Sequence, residues 1–408
     1  MIKINKIQTL FLIISLSIFV RIFAALYFAD LELKNEWAIL FHNFKMSGIY
    51  GFNVVVNEYY AVPKFASPGD TILPSVFMPP LYFYFILFVD TISFQLVDTV
   101  NLLLTIQVLL NIFSIIILYK IVSKFEYKNL PILISFIFAF FPLNIYASVQ
   151  VSSVTLQIFL ILSFLFYFIE LIEENKFKNL FLFSFVSGFL ILIRGEFILF
   201  YFFSLIYLLI LNKKIKTFII SAILTILVIS PYLVRNYYNF NTLVLTKSFG
   251  YNLLKGNNPT LKAEGNPSFI EEEFDRQNLN IKADNRYEIN LDNFYKERAF
   301  DNIKSDSIQY MKFYLLKIFS FVFFDFNSSY PNYYNLFHLI PKILISLLSI
   351  FGAIFALGKK GFFQFISIFY IINICLFSIF FILPRYSLIL LPIKLLLSIF
   401  VFKKLARK

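Results

Sequence analysis

The chain has 408 residues, of which 59% are hydrophobic, 20% aromatic and only 15% charged. The 36 Lys and Arg residues against 24 Asp and Glu residues give a formal net charge of +12. A soluble chain carries about 25% charged residues, so too little polar surface is present to cover a soluble protein of this length. The composition therefore excludes a soluble or disordered protein and predicts a polytopic membrane protein.

Residue types that hold metals and cofactors are scarce in this sequence. The single cysteine, Cys375, excludes a disulfide framework and a thiolate metal site. The two histidines, His42 and His338, argue against a histidine-built zinc or haem site. The many Phe, Tyr and Lys residues are what A+T-rich codons produce, so their abundance does not indicate a basic nucleic-acid surface. We therefore expect no metal, no cofactor and no nucleic-acid partner.

Ten apolar stretches have roughly the length that a bilayer-spanning helix needs. They cover residues 9–29, 98–119, 130–148, 152–172, 179–194, 196–212, 217–234, 337–357, 362–383 and 387–402. The first is longer than the apolar core of a signal peptide, and no small-residue cleavage site follows it, so we interpret it as a retained signal anchor. No internal repeat of the kind found in transporters is visible. The fold class expected is therefore all-α, in one membrane module over residues 1–408.

Lysine-rich tails and short loops separate these stretches, and such loops remain in the cytoplasm. The clusters are Lys3/Lys6, Lys120/Lys124/Lys128, Lys176/Lys178, Lys213/Lys214/Lys216, Lys359/Lys360 and Lys403/Lys404/Arg407/Lys408. Threading ten spans between them places every cluster on one side, with both termini inside. The long segments 30–97 and 235–336 then face the exterior, and 337–408 hold the last spans. This arrangement predicts a multi-pass protein of the bacterial inner membrane.

The two outer segments contain helical patterns of their own. Apolar residues at three- and four-residue spacing predict an amphipathic helix from about Asn35 to Gly48. An apolar run at 81–92 is too short to span comfortably, so we expect it to lie at the outer interface or to dip into the membrane. A further helix is predicted at 286–304, and an interfacial helix at 309–325.

Ionisable residues beside spans are costly and mark candidate sites. Six polar residues fall at the outer interface, namely Arg21, Arg194, Arg235, Asn236, Arg385 and Tyr386. The planar guanidinium group donates two parallel hydrogen bonds to phosphate, so converging arginines suit an anionic lipid headgroup. Each arginine alone also fits snorkelling to lipid phosphate or a structural pair. Glu196, for example, is expected to be the ion-pair partner of Arg194.

Acidic residues open the first outer segment, where Asp30 and Glu36 are candidates for chemistry. Glu36 falls in the first turn of the predicted amphipathic helix, where the helix dipole favours an ionised carboxylate. It is either an ordinary N-terminal helix acid or a general base that faces a lipid-phosphate site. In the second outer segment, KGNNPTLKAEGNP is either a loop that hydrogen-bonds sugar hydroxyls or simply a solvated turn-rich loop.

Six motifs in order resemble one family across about residues 9–402. They are NEWAILFHNFKMSGIYGF, MPPLYFYF, LIRGEF, SPYLVRNYYNFNTLVLTKSFGYNLLKGNNP, KERAFDNIKSDSIQYMKF and PRYSLILLPI. The chain resembles the bacterial C-type (GT-C) glycosyltransferases related to protein O-mannosyltransferases and aminoarabinose transferases. Those multispanning enzymes use polyprenyl-phosphate sugars as donors. No single motif is specific, and the signal is their common order.

The resemblance implies an inverting transfer of a hexosyl or pentosyl group from a polyprenyl-phosphate sugar to an acceptor hydroxyl. The acceptor is a lipid, a glycan or a protein, and membrane lipids surround the site. The family's acidic pair Asp-Glu is here Asn35-Glu36, so the role of catalytic base passes to Glu36, with Asp30 in reserve. Arg194 and Arg385 match positions expected near the donor phosphate.

Two alternative functions remain open on the sequence. The first is a polyprenol-linked glycan transporter or flippase, which arginines spread across the membrane depth or an inverted repeat would favour. The second is an oligosaccharide ligase or polymerase, which also uses a lipid-linked donor and outer arginines. The arginines instead fall at one interface beneath long outer segments, which favours the transferase.

Overall fold

The computed structural model of the protein describes residues 6–28, 36–54, 65–125, 129–270 and 281–405. In chain order the elements are α1 (Lys6–Phe28), α2 (Glu36–Ser47), β1 (Gly51–Val54), β2 (Thr71–Pro74), α3 (Leu81–Ser93), α4 (Thr99–Ser123), α5 (Leu130–Phe140), α6 (Pro142–Ser148), α7 (Val154–Glu173), α8 (Phe177–Ile193), α9 (Phe197–Asn212), α10 (Ile215–Phe240), α11 (Phe249–Gly256), α12 (Tyr287–Ser305), α13 (Ser307–Val322), α14 (Leu336–Leu357), α15 (Phe362–Phe377), α16 (Pro384–Leu388) and α17 (Leu391–Leu405). The predicted all-α class is confirmed, with one small hairpin added.

Each predicted span coincides with a helix or, for 130–148, with the pair α5 and α6. This pair is bent by 58°, because Phe141 precedes Pro142 and takes an extended conformation there. By length and composition five described helices can cross a membrane, namely α1, α4, α7, α10 and α14, and the bent pair makes a sixth. The helices α8, α9, α15 and α17 are apolar but shorter. Membrane character is therefore confirmed, and the count of ten spans stays a prediction.

The apolar helices pack through aromatic rings and small polar residues. Phe168 of α7 stacks on Phe365 of α15 with ring centroids 3.9 Å apart. The hydroxyls of Ser184 and Ser221 lie 2.7 Å apart between α8 and α10. Gly352 of α14 packs so closely on α17 that a Cβ there would lie 2.0 Å from the carbonyl oxygen of Leu397. Close approach and buried hydrogen bonds associate helices in lipid, where apolar burial between helices supplies little driving force.

An outer layer covers one end of the helices. It consists of α2, the hairpin β1–β2, α3, α11, α12 and α13, which come from the two predicted outer segments. The hairpin, α11 and α12 share an apolar core that includes Phe52, Leu254 and Tyr295. The hairpin is antiparallel, with Gly51 opposite Pro74 and Val54 opposite Thr71. These two short strands were not predicted from the sequence. The helices predicted in the two outer segments agree with the observed helices to within a few residues at each end.

Two charged residues attach the hairpin to its neighbours. Arg235 of α10 donates from Nη1 to the Ser75 carbonyl oxygen at 2.7 Å and from Nη2 to the Tyr50 carbonyl oxygen at 2.7 Å. From α12, the buried Glu288 carboxylate accepts from the Val76 N–H at 2.6 Å and from the Ser75 hydroxyl at 3.0 Å. The hairpin therefore links a spanning helix to the outer layer.

The Glu288 contact makes stability depend on pH. Burial raises the pKa of Glu288 to about 7 from 4.5. Below pH 4.5 the carboxyl is protonated in both states, and between pH 4.5 and 7 only the unfolded state loses the proton, so stability falls as the pH rises. The pKa shift corresponds to a change of about 3 kcal/mol in the free energy of unfolding. We expect the thermal midpoint of the wild type in detergent to fall over this window relative to Glu288→Gln. Parallel pH profiles for the two proteins would contradict this linkage.

Candidate active site

A break between the last helices presents Arg385 near the outer layer. The predicted span 362–383 ends early, at Phe377, because residues 378–383 leave the helix and bond to the outer layer. The Ile382 N–H donates to the Ala263 carbonyl oxygen at 2.8 Å. Pro384 then begins α16, since its fixed φ and missing N–H suit the first turn of a helix. Arg385 is exposed as a result.

A buried lysine joins this break to the outer layer. Lys317 of α13, 1% exposed, donates from Nζ to the Gly256 carbonyl oxygen at 2.9 Å, to Asn257 Oδ1 at 3.0 Å and to the Ile379 carbonyl oxygen at 3.2 Å. Gly256 permits the contact, because a Cβ there would lie 2.3 Å from the carbonyl carbon of Phe380. The adjacent Lys255 is thereby brought to this break.

Glu36, Lys255 and Arg385 come from three separate segments and interact electrostatically. Glu36 is half-buried at the start of α2, and the Lys255 ammonium lies 4.4 Å from the ring centroid of Phe381. Burial lowers the pKa of Lys255, the Glu36 carboxylate opposes this shift, and the Arg385 guanidinium adds to it. A carboxylate and two cations therefore share one electrostatic environment.

A loop after α13 adds Tyr330 to the same place. Glu264 holds the loop by accepting from the Ser329 N–H and the Ser329 hydroxyl, each at 2.8 Å. Burial raises the pKa of Tyr330, while Arg385 lowers it and Glu264, Tyr386 and Glu36 raise it further. We call Glu36, Lys255, Tyr330, Arg385 and Tyr386 the outer charged cluster. Tyr330 and Arg385 are exposed, so the cluster is open to a ligand.

Arg194 extends the cluster into a cavity beneath it. Its Cζ lies 4.9 Å from the ring centroids of both Phe377 and Tyr386. Its Nε donates to Glu196 Oε1 at 2.5 Å, which is the ion pair expected from the sequence. Arg194 lines a small cavity together with Gln157 and Asn373. The guanidinium is therefore held between two rings with its charge partly balanced.

The other predicted site residues that the structure describes bond to partners outside the outer charged cluster. Arg21 is fully buried; its Nη1 donates to Ser17 Oγ and its Nη2 to Asn111 Oδ1 at 2.7 Å. The Arg235 guanidinium donates to backbone carbonyl oxygens beside the hairpin. Asn236 is buried beside it, accepting from Arg235 Nη1 at 2.8 Å and donating to the Val244 carbonyl oxygen at 2.7 Å. These side chains hold helices and loops together. Asp30 lies outside the described residues.

Three residues of the site were not predicted from the sequence, namely Lys255, Glu264 and Tyr330. Two of them belong to the asparagine-rich segment KGNNPTLKAEGNP, in which Lys255 opens the run and Glu264 nearly closes it. The signal was the cluster of Gly and Asn residues around two charged side chains. A simply solvated loop does not need to bury a carboxylate, yet Glu264 is 5% exposed.

Comparison with known proteins agrees with this architecture. The chain matches the archaeal oligosaccharyltransferase AglB from Archaeoglobus fulgidus, solved in complex with an inhibitory peptide and a dolichol-phosphate, with a TM-score of 0.51 at 14% sequence identity. The chain has the GT-C fold. The match covers 96% of this chain and 51% of AglB, so the chain spans about half the length of that GT-C protein.

A sequence match supports the same family resemblance over part of the chain. The family described as dolichyl-phosphate-mannose-protein mannosyltransferase matches residues 78–234. This range includes Arg194 and ends just before Arg235, while Glu36 and Arg385 lie outside it. No curated protein matches the chain by sequence. The resemblance to mannosyltransferases predicted from the motifs is thus confirmed over 78–234, and the GT-C architecture over nearly all of the chain.

Proposed function

We propose that this protein is a glycosyltransferase that moves a sugar from a polyprenyl-phosphate donor to an acceptor hydroxyl, with inversion at the anomeric carbon. The reaction takes place at the outer, periplasmic face of a bacterial inner membrane. The match to a mannosyltransferase family and the fold shared with an oligosaccharyltransferase solved with dolichol-phosphate support this class of donor. The acceptor is a lipid, a glycan or a protein.

The observation that carries the proposal is the electrostatic interaction of one carboxylate with two cations in the outer charged cluster. Glu36 comes from the first outer segment, Lys255 from the second, and Arg385 from the break before the last helix. Glycosyl transfer from a lipid phosphate needs a base for the acceptor and positive charge for the leaving phosphate. The cluster offers both groups, at the interface where a lipid donor places its phosphate.

In the proposed reaction the Glu36 carboxylate accepts the proton of the acceptor hydroxyl as that oxygen attacks the anomeric carbon. A new bond forms between the acceptor oxygen and the sugar, and the bond from the sugar to the phosphate oxygen breaks. Both electrons of that bond leave with the polyprenyl phosphate. Arg385, Lys255 and Arg194 stabilise the negative charge on the departing phosphate, since guanidinium groups pair with two phosphate oxygens at once.

The remaining candidates have positioning roles in this scheme. Arg235 and Asn236 fix the hairpin that follows α2, and so they hold the segment that carries Glu36. Arg21 stabilises α1 against α4 through Asn111. Tyr386 stacks on Arg194 and orients that guanidinium toward the leaving phosphate. Asp30 stays a reserve candidate for the base.

The function is tested by reconstituting the purified full chain with a polyprenyl-phosphate monosaccharide and a membrane extract that contains acceptors. We expect donor-dependent sugar transfer. Arg385→Met should lower kcat/KM by about 10- to 100-fold, the range expected for one hydrogen bond to a charged group. Arg286→Met, which removes an exposed arginine of the outer layer, should leave it unchanged. No transfer from any such donor, together with movement of lipid-linked glycan across vesicles, would favour the flippase instead.

A further inference from the structure

A second polar cavity lies on the other side of α16. Lys342 of α14, Lys394 of α17 and Ser387 of α16 line it among apolar side chains such as Phe141 and Leu143. The two lysines are 6% and 3% exposed. Neither belongs to the outer charged cluster, and the proposed transfer does not use them.

The two ammonium groups lack an ion-pair partner among the described residues. Lys394 donates to Ser387 Oγ at 2.7 Å and to Ser346 Oγ at 3.2 Å. Lys342 lies 5.6 Å from the ring centroid of Tyr333. No carboxylate in the described part of the chain lies within 4.0 Å of either nitrogen. Asp325 attracts Lys342 from beyond that distance, so one remote carboxylate faces two cations.

Such an arrangement is costly without a further negative charge. A buried ion is stable only when it is paired and hydrogen-bonded, and charged residues at membrane depth pair with other groups or mark a binding site. Here two cations act on each other, because Lys342 repels Lys394 across the cavity. The space between them is therefore a favourable place for an anion.

We propose that this cavity binds a phosphate group between Lys342 and Lys394. The Ser387 hydroxyl accepts from Lys394 and keeps its own proton, so two ammonium groups and one hydroxyl can donate to one ligand. Phosphate offers several strong acceptor oxygens, and lysine binds it as a point charge. The bound phosphate is either part of a lipid headgroup or a free phosphate ion. The site is separate from the proposed transfer, and its existence does not depend on that reaction.

The position of the cavity gives a bound phosphate a structural effect. The short helix α16 carries Arg385 and Tyr386 toward the outer charged cluster and Ser387 toward the lysines. A phosphate held by Lys342, Lys394 and Ser387 therefore fixes α16 from behind. Occupancy of this site should stabilise the helix that presents Arg385.

The test compares thermal midpoints of the purified full chain in detergent at constant ionic strength, with chloride, inorganic phosphate or a polyprenyl phosphate added. The variant is Lys342→Met with Lys394→Met, and the matched control is Lys359→Met, an exposed lysine between α14 and α15. We expect wild type and control to be stabilised by at least one phosphate ligand, and the double variant to bind it about tenfold more weakly or worse. In chloride alone the double variant should be at least as stable as the wild type, because methionine replaces a buried unpaired charge.

The lipid also binds at the proposed transfer site, so the deciding quantity is the stabilisation that the double variant loses. Loss with both inorganic phosphate and the lipid would support a site open to the free anion, and loss with the lipid alone would support a headgroup site. Equal stabilisation of the wild type and the double variant in both arms would overturn the proposal. If the double variant does not fold, Lys394→Met alone, with bound phosphate lipid counted by native mass spectrometry, decides the question. One bound lipid fewer than in the wild type supports the site, and an unchanged count overturns it.

Discussion

Glu36→Gln should reduce kcat for sugar transfer by about 10² to 10⁴, the contribution that general-base assistance makes in such sites. Glutamine keeps the size and the first-turn position of Glu36 at the start of α2 but cannot accept the acceptor proton. Binding of the donor should persist, because the cations that face the phosphate are unchanged. The measurement is steady-state transfer from a polyprenyl-phosphate monosaccharide, with donor affinity determined separately.

A matched substitution separates catalysis from general effects of charge. Glu297→Gln changes an exposed carboxylate of α12 in the same outer layer and should leave kcat within about twofold, since exposed surface changes away from a site have small effects. If Glu36→Gln transfers sugar as fast as Glu297→Gln does, Glu36 is not the base. Asp30→Asn, tested in the same assay, then examines the reserve candidate.

The helices were predictable because each depends on residues close together in the chain. Apolar stretches bounded by lysine clusters gave spans such as 98–119 and 337–357, which the structure forms as α4 and α14. The three- and four-residue spacing of apolar residues located α2 to within one residue at each end. The two strands escaped prediction because four residues each are too few to show alternation.

The grouping of the site residues depends on contacts between distant segments, and local pattern does not report these. The sequence identified Glu36, Arg194 and Arg385 separately, but it did not reveal that Lys255 joins them. Lys317 bonds to Gly256, 61 residues away, and so holds the neighbour of Lys255 at the break before α16. Arg21 and Arg235 show the converse case. Both fall near the predicted interface in the sequence, yet their donors are directed to protein oxygens.

The second large effect is expected for Lys317→Met, which removes the ammonium that joins α11, α13 and the segment before α16. The Gly256 carbonyl oxygen and Asn257 Oδ1 lose their donor, and the Ile379 carbonyl oxygen keeps only Asn257 Nδ2 at 2.9 Å. A buried acceptor left without a partner costs about 1–3 kcal/mol, so the variant should lose several kcal/mol of stability. Sugar transfer should fall with it, because Lys255 is then no longer held beside Arg385. Thermal midpoints and transfer rates in detergent measure the two effects.

Lys312→Met provides the control for this change, because Lys312 lies on the same helix but is exposed, and its thermal midpoint and transfer rate should match those of the wild type. Gly256→Ala tests the same junction from the other side. A methyl group there meets the backbone at Phe380, so it should separate α11 from the break before α16 while Lys317 remains. Wild-type activity in both Lys317→Met and Gly256→Ala would show that transfer does not need Lys255 beside Arg385. If activity is lost while donor binding stays intact, transfer requires the arrangement of Glu36, Lys255 and Arg385 that these segments hold in place.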